Sequence, residues 1–225
     1  MISIMIATRN RVNWLNETLR SILDTVSDPK NIEIIIRYDN DDMQTHSYIA
    51  GLSNNIRVIS LRKPREINKA KFFNEMANVA TYDILGGFSD DFRFRTVNWD
   101  KFIISKYKEI NPLSVIWGRD GIQDEKLTTH FFCTKKFRNV LGYIWYEGLP
   151  VAFCDNWMTE TIKKTNLDVY INELYFEHLH PDAGKAQRDI VYNESHCQAN
   201  NDAIKWNQSQ YLLQQDIEKL LKVKE

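Results

Sequence analysis

Tyr82-Asp83-Ile84-Leu85-Gly86-Gly87-Phe88-Ser89-Asp90-Asp91 is an apolar run that stops at two adjacent carboxylates. A buried strand that ends in acid at the carboxyl edge of a sheet lies where α/β proteins bind their ligands. Side chains alternate across a strand, so if the extended geometry continues through the pair, Asp90 and Asp91 point to opposite sides and divide the work. One can accept hydrogen bonds from a sugar hydroxyl while the other offers a hard oxygen to Mg2+ or Mn2+, ions that bind through one or two carboxylates plus substrate phosphates. Such a division suits a nucleoside diphosphate. The competing reading is two acids that merely solvate a loop, and the sequence upstream weighs against it.

Working outward, strand and helix signals alternate. Ile2 to Ala7 is a short β-rich apolar run, and Trp14 to Leu23 places Trp14, Leu15, Thr18, Leu19, Ile22 and Leu23 at helical spacing. Asn13 with Glu17 reads as the cap of that helix. Ile32 to Tyr38 reads as a second buried strand ending at Asp39, and Ile56 to Leu61 as a third. Ile67 to Ala80 is a helix leading into the strand before Ser89. This βαβαβαβ order predicts a parallel sheet with helices on both faces and four strand ends along one cleft.

Composition narrows the class. At 225 residues the chain suits one domain with a sizeable core. Lys and Arg total 29 against 30 Asp and Glu, which gives no case for a wholesale nucleic-acid or membrane-surface binder. Cys133, Cys154 and Cys197 are odd in number and widely spaced, neither a disulfide framework nor a metal-binding pattern. The apolar opening meets Arg9 and Arg11 too early for a signal peptide, and no long uncharged run follows, so the expectation is a cytoplasmic protein without an integral membrane segment.

Several residues become candidates by position. The turn Thr8-Arg9-Asn10-Arg11 follows the first strand, where backbone donors and arginines can meet a nucleotide's base or phosphates. Asp39 directly follows a buried strand, which favours it over Asp41 and Asp42. Arg57, Arg62, Lys63, Arg65, Lys69 and Lys71 form a basic stretch able to supply counter-charge to a diphosphate or simply to face solvent. Asn68 and Lys71, one helical turn apart, share a face and are preferred within it.

Ile2 to Arg11 followed by Leu15, Leu19, Ser21-Ile22, then Tyr38-Asp39, Asn68, Asn74-Glu75-Met76-Ala77 and Phe88-Ser89-Asp90-Asp91, resembles family 2 glycosyltransferases of the GT-A fold in order and spacing. The likeness covers roughly the first hundred residues. It implies a GT-A, Rossmann-like, mostly parallel sheet with helices on both faces and a small acceptor-side C-terminal portion. It also implies a single domain over 1–225, with a nucleotide-sugar-binding half at 1–100, an acceptor half at 101–203 and a C-terminal helix at 204–225. By the same resemblance Asp39 holds the nucleobase, Asp90 contacts the ribose and Asp91 binds the metal. Ser89 stands where many relatives carry another acid.

In the second half, Phe153-Cys154-Asp155-Asn156-Trp157-Met158-Thr159-Glu160 resembles the family's later acidic segment, making Asp155 the candidate base for the acceptor hydroxyl. A helix cap is the plainer reading of Asp155, and Glu160 is the reserve. His178 and His180 fall on one face of an extended segment, so both can approach one metal or diphosphate, and this position resembles that of a C-terminal histidine ligand in GT-A enzymes. Lys185 and Arg188 lie in a loop able to close over a diphosphate. Trp117 and Trp145 sit in aromatic, glycine-rich segments that suit a sugar platform or the core equally, and Trp117, after the strand-like Leu113 to Ile116, falls near the expected cleft. From Ile204 to Leu221 a helical stripe packs on the domain or on a second subunit, allowing a homodimer.

The expected activity is therefore metal-dependent transfer of a sugar from a nucleotide-diphosphate donor, with UDP following family habit, to an acceptor hydroxyl with inversion. The acceptor stays open among saccharide, lipid-linked glycan, protein and modified nucleic-acid base. The alternatives are an inactive nucleotide-sugar binding module and a nucleotidyltransferase. The latter usually shows a glycine-rich loop near the first strand, where this chain has Ala7-Thr8-Arg9-Asn10.

Overall fold

Four apolar runs of the first half form adjacent parallel strands, because each is joined to the next by a helical crossover long enough to return the chain to the same edge. They are β1 (Ile2–Ala7), β2 (Ile32–Asp39), β3 (Arg57–Lys63) and β4 (Ile84–Ser89). The helices between them are α1 (Val12–Thr25), α2 (Met43–Ala50) and α3 (Lys69–Val79). A turn at Asp90-Asp91 leads to β5 (Phe92–Phe94) and α4 (Trp99–Lys106). β6 (Val115–Arg119), β7 (Phe131–Thr134), α5 (Lys135–Leu141), α6 (Cys154–Lys164) and β8 (Asp168–His178) follow. The chain ends in α7 (Ile190–His196), α8 (Ala199–Gln208) and α9 (Gln210–Lys224). This computed structural model describes residues 1–52, 56–197 and 199–224.

The sheet order is β3-β2-β1-β4-β7-β6-β8-β5. Ala7 pairs with Arg37 on one side and Ser89 on the other, so β1, β2 and β4 end side by side. All eight residues of β2 are buried, as expected of a parallel strand covered on both faces. Alternation sorts the core into two layers. Ile4, Ile34, Phe88 and Phe132 pack on the α1 side with Leu15, Leu19 and Trp99. Met5, Ile35, Leu85 and Phe131 pack on the other side with Ala70, Phe137, Ile162 and Leu220.

The sheet is more mixed than the sequence suggests, since β7 is antiparallel to both β4 and β6, and β5 is antiparallel to β8. One local feature turns β8 toward the ligand edge. The β6–β8 register jumps from Gly118↔Ile171 to Arg119↔Tyr175, and a bulge of this kind bends a strand and re-aims its side chains. Glycine is required there: a Cβ on Gly118 would lie 2.4 Å from the Leu174 carbonyl oxygen. Beyond the bulge, β8 pairs with β5, setting His178 opposite Phe92.

Several expectations are corrected. α1 begins at Val12, with Arg11 at the cap position and no side-chain cap bond, so Asn13 does not cap it. Glu17 instead pairs with Arg93. α2 is an element the periodicity does not reveal. Trp117 lies inside β6, 1% exposed in the core, rather than at a cleft. The tail from 204 to 221 is not one helix: it breaks at Ser209, leaving Ile204 and Tyr211 exposed while Leu213, Ile217 and Leu220 are buried. α9 packs against α5 and α6 of its own domain. Among the described residues no helix is long and apolar enough to cross a membrane.

Candidate active site

A cleft of about 360 Å³ opens where β1, β2 and β4 end and where β8 and α6 approach from the second half. Adjacent strands in a parallel sheet splay their carboxyl-end loops apart, which leaves such a crevice. Thr8 bridges the strand ends: its N–H donates to the Arg37 carbonyl at 3.1 Å, and its hydroxyl donates to Asp90 Oδ2 at 2.7 Å.

Asp90 and Asp91 occupy the turn between β4 and β5 and meet different partners. Asp90, 2% exposed, takes the Thr8 hydroxyl and, at 3.3 Å, Arg11 Nη1. Burial pushes its carboxyl up to about 6, with Arg11 opposing. Asp91 turns toward β8, accepting from the Ser89 hydroxyl and lying 3.6 Å from His178 Nε2. Burial works against its charge too, yet His178, Ser89 and Arg11 outweigh burial and hold Asp91 well below the usual carboxylate range.

These opposite shifts carry opposite stability signs. Asp90 has a folded pKa above its unfolded value of 3.8, so the folded chain holds the proton longer, and the charged carboxyl destabilises the fold increasingly as pH rises from 3.8 through about 6. In metal-free protein at pH 7, Asp90→Asn is expected to raise the melting temperature by several degrees. The shift corresponds to about 3 kcal/mol at most, at roughly 2–4 °C per kcal/mol. Arg11 stays paired in that variant, because its Nε and Nη2 reach Asp189 at 2.6 and 2.7 Å. Calorimetric melting in a chelator checks this; an unchanged or lowered midpoint would count against it.

Asp39, 1% exposed, sits between two guanidinium groups. Arg9 Nη1 donates to Oδ2 at 2.8 Å and Arg37 Nη1 to Oδ1, while Arg37 also lies 3.7 Å over the Phe72 ring. Arg37 is a cleft residue that the sequence reading missed; its signal was an arginine inside the apolar run of β2. Arg9 further binds Asp41 at 2.6 and 3.0 Å. Asp42 is absorbed by structure, accepting from the N–H groups of Asn10 and Thr45.

The basic stretch reaches the cleft through other residues than those preferred. Asn68 caps α3, accepting from the Lys71 N–H at 3.0 Å and donating to the Glu147 carbonyl. Lys71 does not line the cleft and pairs with Glu66, which does, at 2.6 Å. Lys69 and Arg65 line the cleft instead, and Arg65 is paired with Glu194 of α7 at 2.6 Å. Lys185 is spent on Glu177, 3.7 Å away, and on the Gly121 carbonyl, and it does not line the cleft.

From the second half, Asp155 lies in the first turn of α6 and lines the cleft. It is not the cap, a position held by Phe153 in the left-handed region at φ 65°. Burial raises the Asp155 carboxyl above its ordinary value, with the Asn156 N–H opposing. Glu160 faces solvent and pairs with Lys164. His178 stacks on Phe92, and its Nδ1 lies 4.0 Å from Asp120 Oδ2. Three backbone N–H groups and the Thr129 hydroxyl fix Asp120 behind the ring. His180 also lines the cleft, its ring 5.1 Å from that of His178, but its Nδ1 accepts from the Asp182 N–H.

Among the described residues no group of three or more His, Cys, Asp or Glu side chains is placed to hold a metal ion. Two donors do fit one. Ligands bound at about 2.1 Å and separated by right to trigonal angles lie roughly 3.0–3.6 Å apart, and Asp91 Oδ1 and His178 Nε2 are 3.6 Å apart.

The Glycosyl transferase family 2 model matches residues 3–160. Comparison with curated protein sequences returns no match. Among solved structures, S. aureus TarS 1-349 in complex with UDP superposes with a TM-score of 0.58 at 15% identity, covering 78% of this chain and 59% of that one. The mannosyltransferase PcManGT from Pyrobaculum calidifontis, in complex with GDP-Man and Mn2+, gives 0.62 at 11% identity, covering 93% and 75%. This chain spans 36% of the longer TarS structure. At these identities the likeness is one of fold.

Proposed function

Because this chain belongs to glycosyl transferase family 2, whose model matches more than half of it, we propose that it transfers a glycosyl group from a uridine-diphosphate sugar to an acceptor hydroxyl with inversion. The observation that carries this reading is the divergence of Asp90 and Asp91 to separate partners in a cleft that Asp155 also lines.

Asp90 and Thr8 hold the ribose hydroxyls. Asp91 and His178 would hold a divalent ion, Mn2+ or Mg2+, whose charge would offset that of the departing diphosphate. Lys69, Arg65 and Arg11 add counter-charge on the same side. Asp155 takes the acceptor proton as the acceptor oxygen bonds to the anomeric carbon and the bond to the diphosphate breaks, releasing nucleoside diphosphate. Its raised affinity for protons suits a base that must capture one and later lose it.

Base identity follows from the donor and acceptor pattern. Asp39 accepts and its neighbours Arg9 and Arg37 donate. The imide edge of uracil presents acceptor, donor, acceptor, which complements that order. Guanine presents one acceptor and two donors and would need a second acceptor.

Incubating the protein with a panel of UDP-, GDP- and CMP-sugars and Mn2+ is expected to give free nucleotide from a UDP-sugar alone, and none with a chelator present. Release from GDP-sugars alone would overturn the base assignment. Calorimetric UDP uptake with no release from any donor would show a binding module instead.

A further inference from the structure

The loop that precedes Asp155 is held from two sides. α3 clamps its first part, where Asn74 accepts from the N–H groups of Ile144 and Trp145, and also reaches the start of its last part, where the Lys69 N–H donates to the Pro150 carbonyl at 2.6 Å. The last part, 150–153, borders the cleft through Val151 and Ala152 and leads directly into α6. Its partner is α8, a helix outside the family-matched segment. Asp202 of α8 is fully buried, and its Oδ2 accepts from the N–H groups of both Val151 and Ala152 at 2.9 Å. One turn further on, Trp206 stacks on Phe153, with ring centroids 5.8 Å apart and planes at 26°.

A buried carboxylate is unfavourable unless its hydrogen bonds serve a structure that needs them. Among the described residues its other oxygen, Oδ1, has no hydrogen-bond partner, and Lys205 comes no closer than 3.9 Å. The group is therefore retained for the two backbone bonds. Those bonds fix a segment ending in a phenylalanine at positive φ, a conformation that bulky residues rarely adopt without enforcement. Ordinary helix packing accounts for none of this, since an apolar residue at 202 would fill the space without holding two N–H groups.

We infer that Asp202 and Trp206 are positioning residues that hold loop 150–153 and thereby aim Asp155 at the acceptor oxygen, an inference that rests on Asp155 being the base. Small misplacements of a catalytic group can lower a rate by up to about a hundredfold, so the effect belongs in kcat rather than in donor affinity.

The test uses the UDP-sugar that the panel identifies, with water as acceptor and UDP release as readout, and calorimetric binding of UDP with Mn2+. Asp202→Ala is expected to lower kcat roughly ten- to a hundredfold with UDP affinity unchanged. Asp202→Asn, which keeps an oxygen for both N–H groups, restores most of the rate. Trp206→Leu lowers kcat in the same sense and decides the matter if Asp202→Ala does not fold. Unchanged kcat in Trp206→Leu and in folded Asp202→Ala overturns the inference, as does a rate in Asp202→Asn no better than in Asp202→Ala. Asp155→Asn is measured alongside: a normal rate in that variant defeats the base assignment, whereas its loss beside unaffected position-202 and position-206 variants defeats only the positioning role.

Discussion

Asp155→Asn is expected to slow glycosyl transfer by about two to four orders of magnitude, the usual share of a general base, while UDP binding in the presence of Mn2+ is preserved. Asparagine keeps the size and polar contacts of the side chain in the first turn of α6 but cannot take a proton. The variant therefore removes the chemistry without opening a cavity. The pH profile carries the second half of the expectation. As the proposed base Asp155 must be ionised to accept a proton, and burial holds its carboxyl above the ordinary range. The rate of the native protein should rise with pH on the acid side, with a midpoint above that of a free aspartate, and Asp155→Asn should abolish that rise. A native profile flat across the acid range, or a variant with the native profile, would remove Asp155 from the mechanism.

Asp91→Ala is expected to cost about a hundredfold to a thousandfold in kcat, the usual loss when one stabiliser of a developing charge is removed, and to abolish the strengthening of UDP binding by Mn2+. Its effect on the fold runs opposite to that of Asp90→Asn. The depressed carboxyl of Asp91 contributes stability above its unfolded pKa of 3.8, lost as pH falls through its lower folded value. Removing it should lower the melting temperature of metal-free protein at neutral pH. Calorimetric titrations of UDP with and without Mn2+, together with melting in a chelator, check both parts. Native-like dependence of UDP binding on Mn2+ in Asp91→Ala would show that the ion binds elsewhere. Two consecutive residues with stability effects of opposite sign are a demanding prediction, because a general loosening of the turn would move both the same way.

The sequence made the first hundred residues legible because each buried parallel strand is a short apolar run closed by a polar turn, and the runs alternate with helices of clear period. The strand ends at Thr8, Asp39 and Asp90 followed from that. The second half resisted for a physical reason. β7 is a four-residue strand, Phe131-Phe132-Cys133-Thr134, too short and without the period to mark it as a strand, and its insertion between β4 and β6 is a pairing of segments distant in sequence. The bulge at Gly118 that turns β8 toward Asp91 is likewise visible only through its neighbour Leu174. The choice between Lys69 and Lys71 hung on where α3 starts. With Asn68 as cap, the two lysines stand about 200° apart around the axis, and the nearer one faces the cleft. Asp202 lacked any local signal, since its two partners lie some fifty residues away in the chain.

The arginines of the cleft do not wait unpaired. Arg11 is bound by Asp189, the residue before α7, and Arg65 by Glu194 within it. Protein carboxylates thus act as resident counter-ions where a diphosphate would lie. An arriving anion exchanges partners with them instead of neutralising bare charge, so its electrostatic gain is the difference between two similar interactions. A singly charged anion gains little from that exchange, whereas a diphosphate, with more charge spread over several oxygens, gains more. If the cleft takes a diphosphate as proposed, these resident carboxylates would select anions by valence before any contact with base or sugar.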